Sequence, residues 1–62
     1  MEFEERFFKR CIEARKLAGY SQSDVARLAG VTRQAVQKFE KGKVKTSKLI
    51  FVYMKIINEL LG

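Results

Sequence analysis

Apolar positions along the chain fall into four blocks separated by short polar or glycine-containing stretches. In the first block Phe7, Cys11, Ala14 and Ala18 recur at spacings of four, three and four residues, the period of one buried helix face. Phe8 and Ile12 widen that stripe, and the pattern predicts a helix over about 3–18. Glu2, Glu4 and Glu5 fall in its first turn and Arg15 and Lys16 in its last, which complements the helix dipole at both ends. Gly19 supplies a left-handed stop.

The second block, 22–29, follows Ser21, a good N-cap, with Asp24 placed to complete a capping-box-like pair. Its apolar positions are Val25, Ala26, Leu28 and Ala29, and Gly30 ends it. A third helix over 33–41 starts almost at once behind the N-cap Thr32, with Gly42 just beyond its end. Only Ala35, Val36 and Phe39 are apolar there, and Val36 and Phe39 are assigned to the core. Arg33, Gln34, Gln37, Lys38 and Lys41 leave a broad hydrogen-bonding face. The fourth helix, 47–61, begins near Thr46 or Ser47 and is apolar around almost its whole circumference. A chain this small cannot bury such a helix all round, so part of it is expected to meet another chain. Leu49, Tyr53, Ile57 and Ile50 are assigned to the core, and Phe51, Val52, Met54, Ile56 and Leu60 to a dimer or partner surface.

Sixty-two residues without a linker, repeat or low-complexity tract read as one domain, 1–62. The composition, 47% hydrophobic and 32% charged with no proline, suits a compact all-α four-helix bundle with a long C-terminal helix. The formal charge is +6, and its placement says more than its size. Between Arg33 and Lys48 six basic residues face the single acid Glu40, so five of the six net charges lie in a quarter of the chain. Focused positive charge of this kind is the footprint of a polyanion partner.

The lone cysteine, Cys11, lies on the apolar stripe and is assigned to the core; no internal disulfide is possible. With no histidine, metal-ligand cluster or glycine-rich phosphate loop, no enzymatic activity, metal or cofactor is expected. The acidic N-terminus is unlike a secretory signal. Lys55 and Glu59 interrupt the longest apolar run, which falls short of the roughly 20 residues of a membrane span. A cytoplasmic protein with no membrane contact is therefore expected.

The segment Ser21–Gly42 repeats one design: a capped helix and a glycine, one apolar residue, then a second capped helix and glycine. Ala29-Gly30-Val31-Thr32 is a tight turn in which Val31 can plug the angle between the helices. Two short helices joined this way make a helix-turn-helix, whose second helix fits a DNA major groove. The run Tyr20 to Gly42 resembles the lambda-repressor-like (Cro/XRE) helix-turn-helix domain. The matching pieces are Ser21-Gln22, Val25-Ala26, Leu28-Ala29-Gly30-Val31, Thr32, Val36 and Glu40-x-Gly42. The resemblance extends back to Arg15 and weakly into the fourth helix, about three-quarters of the chain.

The resemblance implies that Arg33, Gln34 and Lys38 read bases, with Gln37 on the flank of that face. Arginine or lysine can bond guanine O6 and N7, and glutamine can bond adenine N6 and N7. It places Gln22 and Thr32 on phosphates, and Lys41, Lys43 and Lys45 would serve the backbone without sequence preference. It further implies a structural ion pair between Arg15 and Glu40 that holds the recognition helix at its angle. Two departures stand out. The fifth helix common in the family has no room before Gly62, and the proline that often follows the Glu-x-Gly turn gives way to Thr46-Ser47.

Two functions follow from these features. The first is a transcriptional regulator of the stand-alone phage or mobile-element repressor type, a homodimer on double-stranded DNA. The second keeps the scaffold as a protein-interaction module that modulates a partner repressor.

Overall fold

A computed structural model describes the backbone of residues 3–62 and the side chains of 5–62. Four helices follow one another: α1 (Phe3–Leu17), α2 (Gln22–Ala29), α3 (Arg33–Glu40) and α4 (Ser47–Leu61). The acidic positions Glu2 and Glu4 lie outside the described side chains.

Local chemistry sets the boundaries of the central pair. The Ser21 hydroxyl accepts from the Asp24 N–H at 3.1 Å, and the Asp24 carboxylate accepts from the Ser21 N–H at 2.8 Å. Two backbone donors at the start of α2 are thus satisfied reciprocally. Thr32 Oγ1 accepts from the Ala35 N–H at 3.1 Å and starts α3 in the same manner. α2 stops at Gly30, with φ 70°. Beyond it the Val31 N–H bonds back to the Ala26 carbonyl at 3.0 Å. α3 stops at Gly42, with φ 78°, and the Lys43 N–H returns to the Lys38 carbonyl at 3.0 Å. Both ends have the Schellman pattern, which needs a residue that tolerates positive φ. At the start of α4, by contrast, Thr46 makes no side-chain cap bond.

α1 packs along α4, α2 packs on both α3 and α4, and α3 also touches α1. The core holds Phe8, Cys11 and Ala14 from α1, Val25 and Ala26 from α2, and Val36 and Phe39 from α3; α4 adds Leu49, Tyr53 and Ile56. Phe8 meets Phe39 edge-on with ring centroids 5.0 Å apart, and Phe39 stacks on Tyr53 at 5.2 Å. Each such aromatic pair is worth about 0.5–1.5 kcal/mol beyond the area it buries. The rings run from α1 through α3 to α4 and hold α3 from behind.

The structure corrects several sequence expectations. Ile56, placed on the partner surface, is in the core at 3% exposure. It lies seven residues beyond Leu49, two helical turns along the same face, so the side that buries Leu49 buries Ile56. Ile57 and Ile50, assigned to the core, are half-buried at its edge. On α1 it is Phe8 that is buried, while Phe7 packs against the core from the side. Leu28, counted among the apolar positions of α2, points outward and is 58% exposed.

Candidate nucleic-acid interface

Behind α3 lies a buried polar cluster centred on the Glu40 carboxylate. Arg15 Nε donates to Glu40 Oε2 at 2.7 Å, and Arg15 Nη2 reaches Oε1 at 3.4 Å. Gln22 Nε2 donates to Oε1 at 2.9 Å, and the Tyr53 hydroxyl donates to Oε2. Arg15 Nη1 turns back to the Tyr20 carbonyl at 3.0 Å. The Arg15 and Glu40 side chains are only 10% and 6% exposed. One carboxylate therefore ties together all four helices: α1 by Arg15, α2 by Gln22, α3 by Glu40 itself and α4 by Tyr53.

Burial alone would push the Glu40 pKa up. Hydrogen bonds from Arg15, Tyr53 and Gln22, together with the Arg15 charge, outweigh it and hold the carboxyl below its ordinary value. Glu40 thus stays ionised at neutral pH. The Tyr53 hydroxyl moves the other way, raised by burial and by its bond to the Glu40 carboxylate, so it remains a donor. Burial, with the Glu40 charge second, pushes the nearby Cys11 thiol up to about 12, which makes it a packing residue and not a nucleophile.

In front, α3 presents Arg33, Gln34 and Lys38 to solvent, with Gln37 half-buried beside them. Gln34, Gln37, Lys38, Lys41 and Lys43 line one open depression of about 430 Å³. Three cationic side chains and two carboxamides thus share one wall, the donor and acceptor set that base edges and phosphates present in complement. Lys45 is exposed farther along the loop between α3 and α4. Gln22 and Thr32 stand at the first turns of α2 and α3. Thr32 Oγ1 is engaged with its own helix, and one N–H of Gln22 is engaged with Glu40.

The structure therefore brings together Arg15 and Glu40, and most of the α3 face with the loop lysines. Sequence reasoning missed two members of the buried cluster. It assigned Gln22 only to phosphate, and it placed Tyr53 in the core without naming a partner for its hydroxyl. A signal was present for the second, since a buried tyrosine needs an acceptor and Glu40 was the lone acid of its stretch. Of the surface assigned to a partner, Phe51, Met54 and Leu60 are exposed and Val52 is half-buried.

No group of three or more metal-ligating side chains is present among the described residues. Among them, no helix is long and apolar enough to cross a membrane. A family model described as helix-turn-helix matches residues 12–58, from the middle of α1 to near the end of α4. No curated protein and no solved structure gives a significant match.

Proposed function

We propose, for a chain that belongs to the Cro/C1-type helix-turn-helix family of DNA-binding regulators, that it is a sequence-specific transcriptional repressor reading the major groove with α3. The observation that carries this is the outward face of α3, where Arg33, Gln34 and Lys38 stand free of the core and Gln34 and Lys38 join Lys41 and Lys43 in one depression. Arg33, Gln34 and Lys38 read base edges, with Gln37 at their flank. Lys41, Lys43 and Lys45 follow the phosphate backbone. Gln22 offers the second N–H of its carboxamide to a phosphate while the first stays on Glu40, and Thr32 contacts phosphate from the start of α3.

Two copies act together on a palindromic site, with their α3 helices in successive major grooves about 34 Å apart. The copies meet through the α4 side of the molecule, where Phe51, Val52, Met54 and Leu60 leave apolar surface. This work takes place in the cytoplasm.

Duplex binding as a function of salt tests the reading. A protein that neutralises six phosphates loses affinity with a log–log slope of about −5. The exposure of Phe51 and Leu28 favours a second reading, in which the same scaffold binds a partner repressor in place of DNA. A flat salt dependence, or the absence of any duplex complex, would overturn the DNA reading.

A further inference from the structure

A groove of about 200 Å³ runs between α2 and α4, on surface the α3 face does not use. Tyr20 and Leu28 form one wall; Phe51, Val52, Lys55 and Glu59 form the other, with the core residue Ile56 at the floor. Two of its apolar residues are large and poorly covered: Leu28 is 58% exposed and Phe51 70%. A residue of either kind standing alone would be ordinary, but two facing each other across a groove form a contiguous apolar patch.

Charge says what can cover it. Each copy carries +6, and five of those charges lie between Arg33 and Lys48. Two copies repel unless they approach through surface that is locally neutral. The α2–α4 side is one such surface, and it is the one that also carries a groove. Asp24 and Arg27 are joined in an ion pair beside Leu28. From Leu49 to Leu61 the only charges are Lys55 and Glu59. These two stand one helical turn apart on the groove wall, and no ion pair joins them within the helix. Lysine preceding glutamate is also the weaker order for such a pair within a helix. A positive and a negative group one turn apart are self-complementary under a two-fold axis. When two such helices run antiparallel, Lys55 of each approaches Glu59 of the other.

We infer that the α2–α4 groove is the surface on which a second copy of this chain docks. Leu28, Phe51 and Val52 supply the apolar contact, and reciprocal Lys55–Glu59 pairs fix the antiparallel register. The inference rests on the reading that two copies act together, and it narrows the interface to one side of α4. Met54 and Leu61, on the opposite flank, lie outside it, and Leu28 of α2 becomes part of it.

A charge-swap series tests this by sedimentation velocity over a concentration range, with and without duplex. Lys55 and Glu59 are both exposed, so substitution there leaves the core untouched, and circular dichroism verifies the fold of each variant. Lys55→Glu alone and Glu59→Lys alone each bring like charges together and weaken self-association about tenfold. An equimolar mixture of the two single variants restores a dimer between unlike chains, and the double exchange restores it within one chain. Phe51→Ala, removed twice per dimer, weakens association about a hundredfold.

A wild-type dimer indifferent to Lys55→Glu, Glu59→Lys and Phe51→Ala overturns the groove assignment and leaves the dimer reading standing. A wild-type protein monomeric at every concentration, on duplex as well as off it, overturns both, and the groove is then left to another protein. A dimer that responds to the swaps but binds no duplex upholds the groove and removes the DNA reading.

Discussion

Replacing Arg15 with methionine removes every charged partner of Glu40 while keeping a side chain of similar length on α1. The Glu40 carboxylate, 6% exposed in the parent, then keeps only the Gln22 and Tyr53 donors, and the Tyr20 carbonyl loses the Nη1 donor as well. Breaking a buried pair from one side costs about 3–5 kcal/mol, because a charge is left without compensation. A small domain has about 5 kcal/mol to lose, so Arg15→Met approaches complete unfolding at neutral pH. Urea titrations followed by circular dichroism measure the loss, with a stabilising osmolyte in all samples so that the variant retains a folded baseline.

The pH dependence separates this cause from simple loss of packing. In the parent protein the folded Glu40 pKa is lowered, so its contribution is present above the unfolded value and is lost as pH falls through the folded one. Without Arg15 two of the effects that oppose the burial penalty are gone, and the folded pKa rises relative to the parent's. Protonation at falling pH then costs the variant less stability than it costs the parent. The stability difference between parent and variant should therefore be largest near neutral pH and shrink steadily as pH falls through the ordinary carboxyl range. A difference that is constant across that range, or below about 1 kcal/mol at pH 7, would refute the claim that Arg15 compensates a buried charge.

Other consequences can be measured independently. Tyr53→Phe keeps the ring stacked on Phe39 and removes one donor to the carboxylate, for a loss of about 1.5–3 kcal/mol in the same urea assay. Gly42→Ala places a Cβ 3.5 Å from Phe8, an ordinary contact, but at φ 78°; the backbone strain costs about 1–2 kcal/mol, read as a lower thermal midpoint. Cys11, with its thiol pushed up to about 12 and fully buried, should react with a thiol reagent only at the rate of unfolding; labelling as fast as in urea would place it wrongly. Lys43→Ala should weaken binding to all duplexes alike and make the salt slope shallower by about one.

How much of this was legible in the sequence depends on the range of the interaction that decides each feature. The limits of α2 and α3 were readable because Ser21 with Asp24, Thr32, Gly30 and Gly42 settle them within a few residues. Val36 and Phe39 were readable because α3 has a single narrow apolar stripe. α4 is the opposite case. Its apolar residues cover nearly every direction, so periodicity cannot orient it; only packing against α1 and α2 turned Ile56 inward and left Phe51 outside. Phe7 and Phe8 are ambiguous for the same reason, since adjacent aromatics sit about 100° apart and either could lead the stripe.

The buried cluster joins residues far apart in the chain. Arg15 and Glu40 are separated by 25 positions, and only the family resemblance brought them together beforehand. Nothing local announces that Gln22 bends back toward Glu40 across 18 positions. That bond forms because the helix-turn-helix folds the start of α2 over the end of α3. For the groove, Leu28 read only as one apolar position of a short helix, with nothing to show that it stays exposed near Phe51.

On the proposed function, α3 reads base sequence through Arg33, Gln34 and Lys38. Selection from a pool of random duplexes, run in parallel with the wild-type protein and with Gln34→Ala, tests it most directly. The wild type should select a two-fold symmetric consensus. With Gln34→Ala the same consensus should relax at one base pair in each half-site, where discrimination falls by about 1–3 kcal/mol. Recovery of no consensus by the wild type, or of an unchanged one by Gln34→Ala, would contradict it.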